Sequence, residues 1–247
     1  MMTPSLPRRL AAEAVGTALL TAVLIGSGIR SAALSPDGGM RFLANVLASV
    51  LALAVLIALL APVSGAHLNP LVSAAAWWTE RRGGAGLTLR ELGGYVTAQL
   101  LGAVAGAALA NTMFERPVLE LSGRQRSAGH LWLAEAVATG VLVLLVFGLL
   151  RAGHGGWAPV AVAGWIGAAC WGTSSGSFAN PALTVGRALS DSYTGIAPGS
   201  VPAFVLAQCV GAAAGLALLA GLFGRSRDRD RVPGDARELL VAGAPDR

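Results

Sequence analysis

Six stretches of roughly twenty residues are apolar along their length and almost free of charge: 10–29, 42–62, 91–111, 131–150, 157–174 and 201–223. A helix of that length crosses a hydrocarbon core of about 30 Å, so each predicts a membrane span. The segments between them carry the Pro, Gly and Arg that mark interfaces, as in "SPDGG" at 35–39, "TERRGG" at 79–84 and "FERP" at 114–117. Two apolar pieces remain, 69–78 and 180–189, and about ten residues are too few to cross. Each opens on Asn-Pro. Asn caps helix N-termini well, and Pro suits the first helical position, where its missing N–H is no loss. These pieces predict half-helices that begin inside the membrane.

The chain also repeats itself. "AEAVGT" at 12–17 returns as "AEAVAT" at 134–139, "SGAHLNP" returns as "SGSFANP", and "YVTAQLLGAVAG" at 95–106 returns as "FVLAQCVGAAAG" at 204–215. Each half reads span, span, half-span, span. Three full spans is an odd number, so the second half enters from the opposite face and the repeats are inverted. The half-helices then dip in from opposite sides and meet at their N-termini near the midplane. Irregular backbone at that depth is tolerated where it lines a water-filled cavity or is buried in protein.

Composition agrees with a membrane protein: 54% hydrophobic residues, 13% charged and a mean hydropathy of +0.64. The basic residues are all arginine. They form no basic stripe and accompany no aromatic RNA motif, so the expectation is no nucleic-acid partner. With the N-terminus cytoplasmic, Arg8, Arg9, Arg81, Arg82, Arg90, Arg151 and the tail arginines fall inside, against Arg30, Arg41, Arg116, Arg124, Arg126 and Arg187 outside. That bias puts both termini in the cytoplasm. No cleavage site follows the first apolar run, so the run is expected to remain as a span. Cys170 and Cys209 lie in apolar segments outside any CxxC pair, which predicts inert buried thiols and neither metal nor redox chemistry. The absence of a P-loop, HExxH, nucleophile elbow or glycine-rich cofactor loop argues against an enzyme and against a cofactor.

Paired Asn-Pro boxes after Ser-Gly-x-x-x, inside an inverted six-helix repeat, resemble the aquaporin (major intrinsic protein) family. The similarity covers residues 8–224. It implies an all-α fold of six transmembrane helices plus two re-entrant half-helices. One channel domain would occupy 1–224, with repeats at about 8–112 and 130–224, followed by a disordered cytoplasmic tail at 225–247. It further implies a homotetramer in the cell membrane, passing water and small neutral solutes through one pore per subunit. The boxes are Asn69, Pro70 and Leu71, where the family has Asn-Pro-Ala, and Asn180, Pro181 and Ala182.

Asn69 and Asn180 would each offer a side-chain NH₂ to a passing oxygen, beside half-helix N-termini that carry about half a positive charge each. In this family such an arrangement keeps out cations and interrupts proton hopping. The carbonyls of Gly65, Ala66, His67 and Leu68, and of Gly176, Ser177, Phe178 and Ala179, precede the caps and should form an acceptor ladder. Glu13 and Glu135 stand in apolar spans, where a central carboxylate costs about 2.5–3.5 kcal/mol. The resemblance gives them the task of bracing the re-entrant loops. The Gly-x-x-x-Gly pairs of "GAVAG" at 102–106 and "GAAAG" at 211–215 predict that the third and sixth spans cross tightly, with Gln99 and Gln208 bonding across them. His154 reads as a solvated loop residue, and Trp77, Trp78, Trp132 and Trp157 as an aromatic belt.

Family members narrow again at four positions, which in water-selective channels usually hold an aromatic residue, a histidine, a small residue and an arginine. Counting from the boxes without gaps places these at Ser49, Ala168, Ser177 and Leu183. Losing the arginine removes five donors and a fixed charge, so the neck should be wider and less polar than a water-only filter. Glycerol, urea and trivalent metalloid hydroxides such as arsenite fit by size, and "NPALTVGR" is similar to a bacterial subgroup linked to arsenic handling. Arg187, a turn further along the half-helix, is expected to snorkel to the interface in preference to pointing into the mouth. Two rivals are an inverted-repeat secondary transporter, with Glu13 and Glu135 as its only midplane carboxylates, and a closed structural member of the same fold.

Overall fold

The structure, a computed structural model, describes residues 4–80 and 86–224. Arg81, Arg82 and the tail from 225 to 247 lie outside the described residues. Among the described residues eight α-helices follow one another: α1 Leu6–Leu34, α2 Gly38–Ser64, α3 Pro70–Glu80, α4 Leu89–Met113, α5 Gly129–Arg151, α6 Ala158–Gly172, α7 Pro181–Arg187 and α8 Val201–Phe223. Short 3₁₀ turns precede α6 and α8, and the described residues contain no strand.

Five of these helices, α1, α2, α4, α5 and α8, are long and apolar enough to cross a membrane. The stretch at 157–174, expected as a full span, is shorter: its α-helix α6 has 15 residues, about 22 Å at 1.5 Å per residue. The 3₁₀ turn Gly155–Trp157 takes its first residue, and after Gly172 the chain leaves the helix for the second box loop. The half-helices start where the boxes predict. Asn69 Oδ1 accepts from Leu71 N at 3.0 Å, and Asn180 Oδ1 accepts from Ala182 N and Leu183 N at 3.0 and 3.3 Å. α7 ends at Arg187, short of the expected 189.

The glycine pairs pack, but not where expected. A Cβ on Gly102 would stand 2.3 Å from the Ala14 carbonyl oxygen, and one on Gly106 would stand 2.2 Å from that of Ala18, so α4 lies directly on α1. In the second half, Gly211 and Gly215 meet the carbonyl oxygens of Ala136 and Gly140 at 2.1 and 2.2 Å, so α8 lies on α5. Each tight crossing therefore joins the first and last long helices of one half, instead of the third and sixth spans of the chain. Without a hydrophobic drive between helices in lipid, such close backbone contact supplies the packing energy. The halves interlock through the half-helices: Gly186 of α7 sits against Ala103 of α4 and Thr21 of α1.

Large apolar side chains face outward in rows. On α2, Leu43, Leu47, Leu51, Val55 and Leu59 recur every fourth residue and are all exposed, a stripe that lipid or a neighbouring subunit covers at little cost. Polar residues take the opposite place: Glu13, Gln99, Glu135 and Gln208 are fully buried. The cysteines are less hidden than expected, Cys170 being half-buried and Cys209 exposed.

Candidate functional site: two re-entrant loops and the path between them

Each loop ahead of a box holds an alternating left-handed backbone. Gly65, Ala66 and Leu68 have φ of 88°, 48° and 49°, and Gly176, Ser177 and Ala179 have 73°, 47° and 46°. Non-glycine residues in that region cost about 1–3 kcal/mol each and persist only where the surroundings hold them. Two carboxylates do the holding. Glu13 accepts from His67 N and Leu68 N at 2.9 and 2.7 Å, and from Ser64 Oγ and Gln99 Nε2 at 2.7 Å each. Glu135 accepts from Phe178 N and Ala179 N at 2.9 Å each and from Gln208 Nε2 at 2.6 Å. These bonds satisfy the loop N–H groups, which buried and unpaired would cost about 1–3 kcal/mol each, and so hold the left-handed residues in place. Gln99 and Gln208 do bond across helix crossings, but across those of α4 on α1 and α8 on α5, by donating to Glu13 and Glu135, and not across a meeting of the third and sixth spans. Gln99 Nε2 also reaches Ser73 Oγ of α3 at 2.9 Å, and Gln208 Nε2 reaches Thr184 Oγ1 of α7 at 3.1 Å, so each ties carboxylate, long helix and half-helix together.

The boxes are cross-linked. Asn69 Nδ2 donates to the Ala179 carbonyl at 2.8 Å, and Asn180 Nδ2 donates to the Leu68 carbonyl at 2.7 Å. Each amide has two N–H groups, which leaves one per asparagine for a ligand. The Leu68 and Ala179 carbonyls, expected as ladder acceptors, are thus already engaged by the opposite box. The Gly176 carbonyl accepts from Cys170 Sγ at 3.4 Å. His67 contributes more than its carbonyl: its Nδ1 lies 3.0 Å from Ser73 Oγ, and its ring packs on Tyr95.

Two cavities follow this spine. One, about 390 Å³, is lined by Phe42, Asn45, Arg124, Arg126, Cys170, residues 173–177, Arg187, Tyr193 and Thr194 among others. The other, about 670 Å³ and largely apolar, is lined by Leu53, Ile57, both asparagines, residues 65–68, residues 177–179 and Leu183, and extends to Glu80, Leu150 and Gly155. Their walls share four residues, Leu24, Ser49, Ile166 and Ser177, so the cavities abut at a neck with two hydroxyls and two aliphatic side chains. The hydroxyl oxygens of Ser49 and Ser177 are buried there without a hydrogen-bond partner.

Of the four expected neck residues, Ser49 and Ser177 stand in the neck. Leu183 lies just beyond it, buried in the wall of the apolar cavity. Ala168 lines neither cavity and is exposed on α6; the inward residue is Ile166, because the shortened α6 and its exit into the loop break gap-free counting. Leu24 went unforeseen, although the internal match offered a signal: aligning "AEAVGT" with "AEAVAT" pairs Leu20 and Leu24 with Leu142 and Val146, and all four line the apolar cavity. Arg187 turns into the first cavity, where it is buried, and does not extend to an interface.

With this geometry in place, comparison with known proteins gives one answer. Residues 1–163 and 130–241 match the family described as Major intrinsic protein. The chain belongs to that family and is a multi-pass membrane protein. Aquaglyceroporin AqpS of Rhizobium meliloti is 42% identical over 222 residues, spanning 90% of this chain and 93% of its own. Probable aquaporin AqpM of Archaeoglobus fulgidus is 32% identical over 86% of this chain and 96% of its own. The solved aquaglyceroporin of Plasmodium falciparum shares the fold, with a TM-score of 0.64 over 95% of this chain and all of that one at 22% identity.

Proposed function

We propose that the protein is a passive channel that passes water and glycerol, and admits other small neutral solutes such as urea and trivalent metalloid hydroxides. The observation that carries this is the neck. Ser49 and Ser177 present unpartnered hydroxyls beside Leu24 and Ile166, and Leu183 takes the place where water-selective relatives carry arginine. A polyol has hydroxyls for the first pair and C–H surface for the second. The similarity to Aquaglyceroporin AqpS supports the same class of solute.

Ion exclusion falls to the boxes. Each asparagine keeps one N–H for a solute oxygen, and the half-helix N-termini add positive potential that repels cations and turns waters apart. Glu13 and Glu135 act as braces: their oxygens are taken up by loop N–H groups and glutamines, which argues against a coupling carboxylate of a secondary transporter. We read 1–224 as one channel domain of two inverted repeats, 8–112 and 130–224, in the cell membrane with both termini cytoplasmic. The exposed stripe on α2 suits packing in a homotetramer.

Stopped-flow light scattering on liposomes carrying the protein tests the reading. Wild type should pass water and re-swell quickly with glycerol. Leu183→Arg should cut glycerol flux by about tenfold or more, since even one methylene too many in an apolar pocket costs a bulkier solute about 1–3 kcal/mol, and should leave water flux within about twofold. Glycerol flux that matches empty liposomes in wild type would sink the proposal.

A further inference from the structure

The first cavity carries charge that the passage of neutral solutes does not use. Arg124, Arg126 and Arg187 line it, and no Asp or Glu does. Among the described residues the ion pairs are Arg9–Glu91 and Arg116–Glu120, so none of the three cavity arginines is paired. Two are held from behind by successive carbonyls. Arg187 Nε donates to Thr194 O at 2.6 Å and Arg126 Nε to Gly195 O at 2.9 Å. Both guanidiniums stack on Phe178, at 3.2 and 5.0 Å from its centroid, and Arg124 stacks on Tyr193 at 5.6 Å.

The nearby carboxylates are spent elsewhere. Glu135 serves the loop N–H groups, and Asp191 Oδ1 accepts from Gly123 N at 3.1 Å and Ser122 Oγ at 3.4 Å. Burial, with Arg124 beside it, pushes Arg126 down to about 10, which leaves it cationic at neutral pH. A separate observation points to a ligand. Ser177 is 6% exposed, its hydroxyl has no partner, and it shares this wall with Arg187, also 6% exposed.

We propose that this cavity binds a small oxyanion between Arg124, Arg126 and Arg187, with the Ser177 hydroxyl as a further donor. Guanidiniums present forked N–H donors that match carboxylate and tetrahedral oxyanion geometry, and cation–π stacking fixes their planes beforehand. Position 183, in the wall of the apolar cavity, holds a leucine, and the arginine of α7 stands one turn further along, at 187, in the wall of the first cavity. The apolar cavity beyond has no arginine in its lining and does have Glu80, so the guanidiniums keep the oxyanion on their own side of the neck. Its consequence for flux rests on the channel reading; its existence does not.

Cys170 lies in the same wall and reports on the site without any flux measurement. In Cys209→Ser protein, Cys170 is the sole thiol. Its labelling by anionic sulfonatoethyl and cationic trimethylammonioethyl methanethiosulfonate is followed by intact mass in neutral phosphatidylcholine vesicles. The anionic reagent should react about tenfold faster or more, in line with electrostatic focusing in a charged cleft. Millimolar inorganic phosphate should slow it, and Arg187→Lys should keep the ratio.

The double variant Arg124→Gln, Arg126→Gln should bring the ratio close to one and abolish protection by phosphate. Protection by added phosphate in neutral vesicles assigns a solution anion; protection that arises only with phosphatidylglycerol assigns a headgroup phosphate. Equal rates in wild type, a ratio indifferent to the double variant, or no protection in either vesicle overturns the site. Should Cys170 react with neither reagent, equilibrium dialysis of wild type against labelled phosphate decides: retention lost in the double variant supports the site, and no retention overturns it. A protein that passes no solute yet shows the protected, arginine-dependent rate loses the channel reading and keeps the site.

Discussion

The loop before the first box and the loop before the second trace one backbone, with positive φ at Gly65, Ala66 and Leu68 against Gly176, Ser177 and Ala179. Each is pinned by a buried glutamate and a buried glutamine from matching places in the repeat. What surrounds them differs. The first loop is backed by Tyr95, whose hydroxyl donates to the Ser64 carbonyl at 2.8 Å and accepts from Arg9 Nε at 2.9 Å, and it opens only onto the apolar cavity. The second is backed by Phe204, which matches Tyr95 in the repeat, packs on Phe178 of the loop at 5.1 Å and has no hydroxyl. Phe178 also carries the Arg126 and Arg187 guanidiniums, and the loop borders both cavities. The duplicated parts hold backbone in place, and the unduplicated parts set what each mouth attracts. An inverted repeat thus gives one scaffold with two chemically unlike ends.

Removing a brace breaks the shared part and should have the largest effect. Glu13→Ala strips a carboxylate from two buried backbone N–H groups, Ser64 and Gln99; Glu135→Ala strips it from two backbone N–H groups and Gln208. Each orphaned donor costs about 1–3 kcal/mol, and the left-handed residues lose what holds them. Both variants should unfold well below wild type in fluorescence-detected size exclusion, Glu13→Ala the lower of the two because four donors are lost against three. A Glu135→Ala protein as stable as wild type would show that the loops hold themselves.

A methyl at the helix crossings tests the same equivalence with a smaller perturbation. Gly102→Ala and Gly211→Ala each place a Cβ within 2.3 and 2.1 Å of a carbonyl oxygen, so the helix pair must separate. Overpacking of this kind costs about 1–3 kcal/mol. The two variants should lose stability about equally. A large loss in one only would mean that α1 on α4 and α5 on α8 are not energetic counterparts.

Much of this scaffold is legible in the sequence because it rests on local chemistry that occurs twice. Asn-Pro can start a helix in mid-membrane by itself, and the paired "AEAV", "SG" and "AQ" landmarks give the repeat its order. The neck is harder to read. Ser177 is three residues from its box and is placed by that loop alone, whereas Ala168 depends on counting through a helix that is shorter and differently ended, and Ile166 faces inward instead. The glycine pairs announced close packing but not their partners, since Gly-x-x-x-Gly encodes a surface and not its address. Arg124 and Arg126 come from the connection between the halves, where no periodicity points at a cavity, and only tertiary structure brings them beside Arg187.

The smallest effect belongs to the part without a counterpart. Tyr95→Phe keeps the ring that packs on His67 and deletes only the hydroxyl. Arg9 retains Glu91 at 2.8 Å, but the buried Ser64 carbonyl loses its donor. One neutral hydrogen bond contributes about 0.5–1.5 kcal/mol, which for a chain of this size shifts the midpoint by about 2–4 °C per kcal/mol. Because Ser64 Oγ is also a donor to Glu13, the loss should loosen the first loop and spare the second. Hydrogen exchange read by mass spectrometry should show faster amides at 65–69 and unchanged ones at 176–180. Equal acceleration in both loops would mean that the cross-box asparagines couple them into one unit, and the asymmetry drawn between the two ends would then be confined to charge.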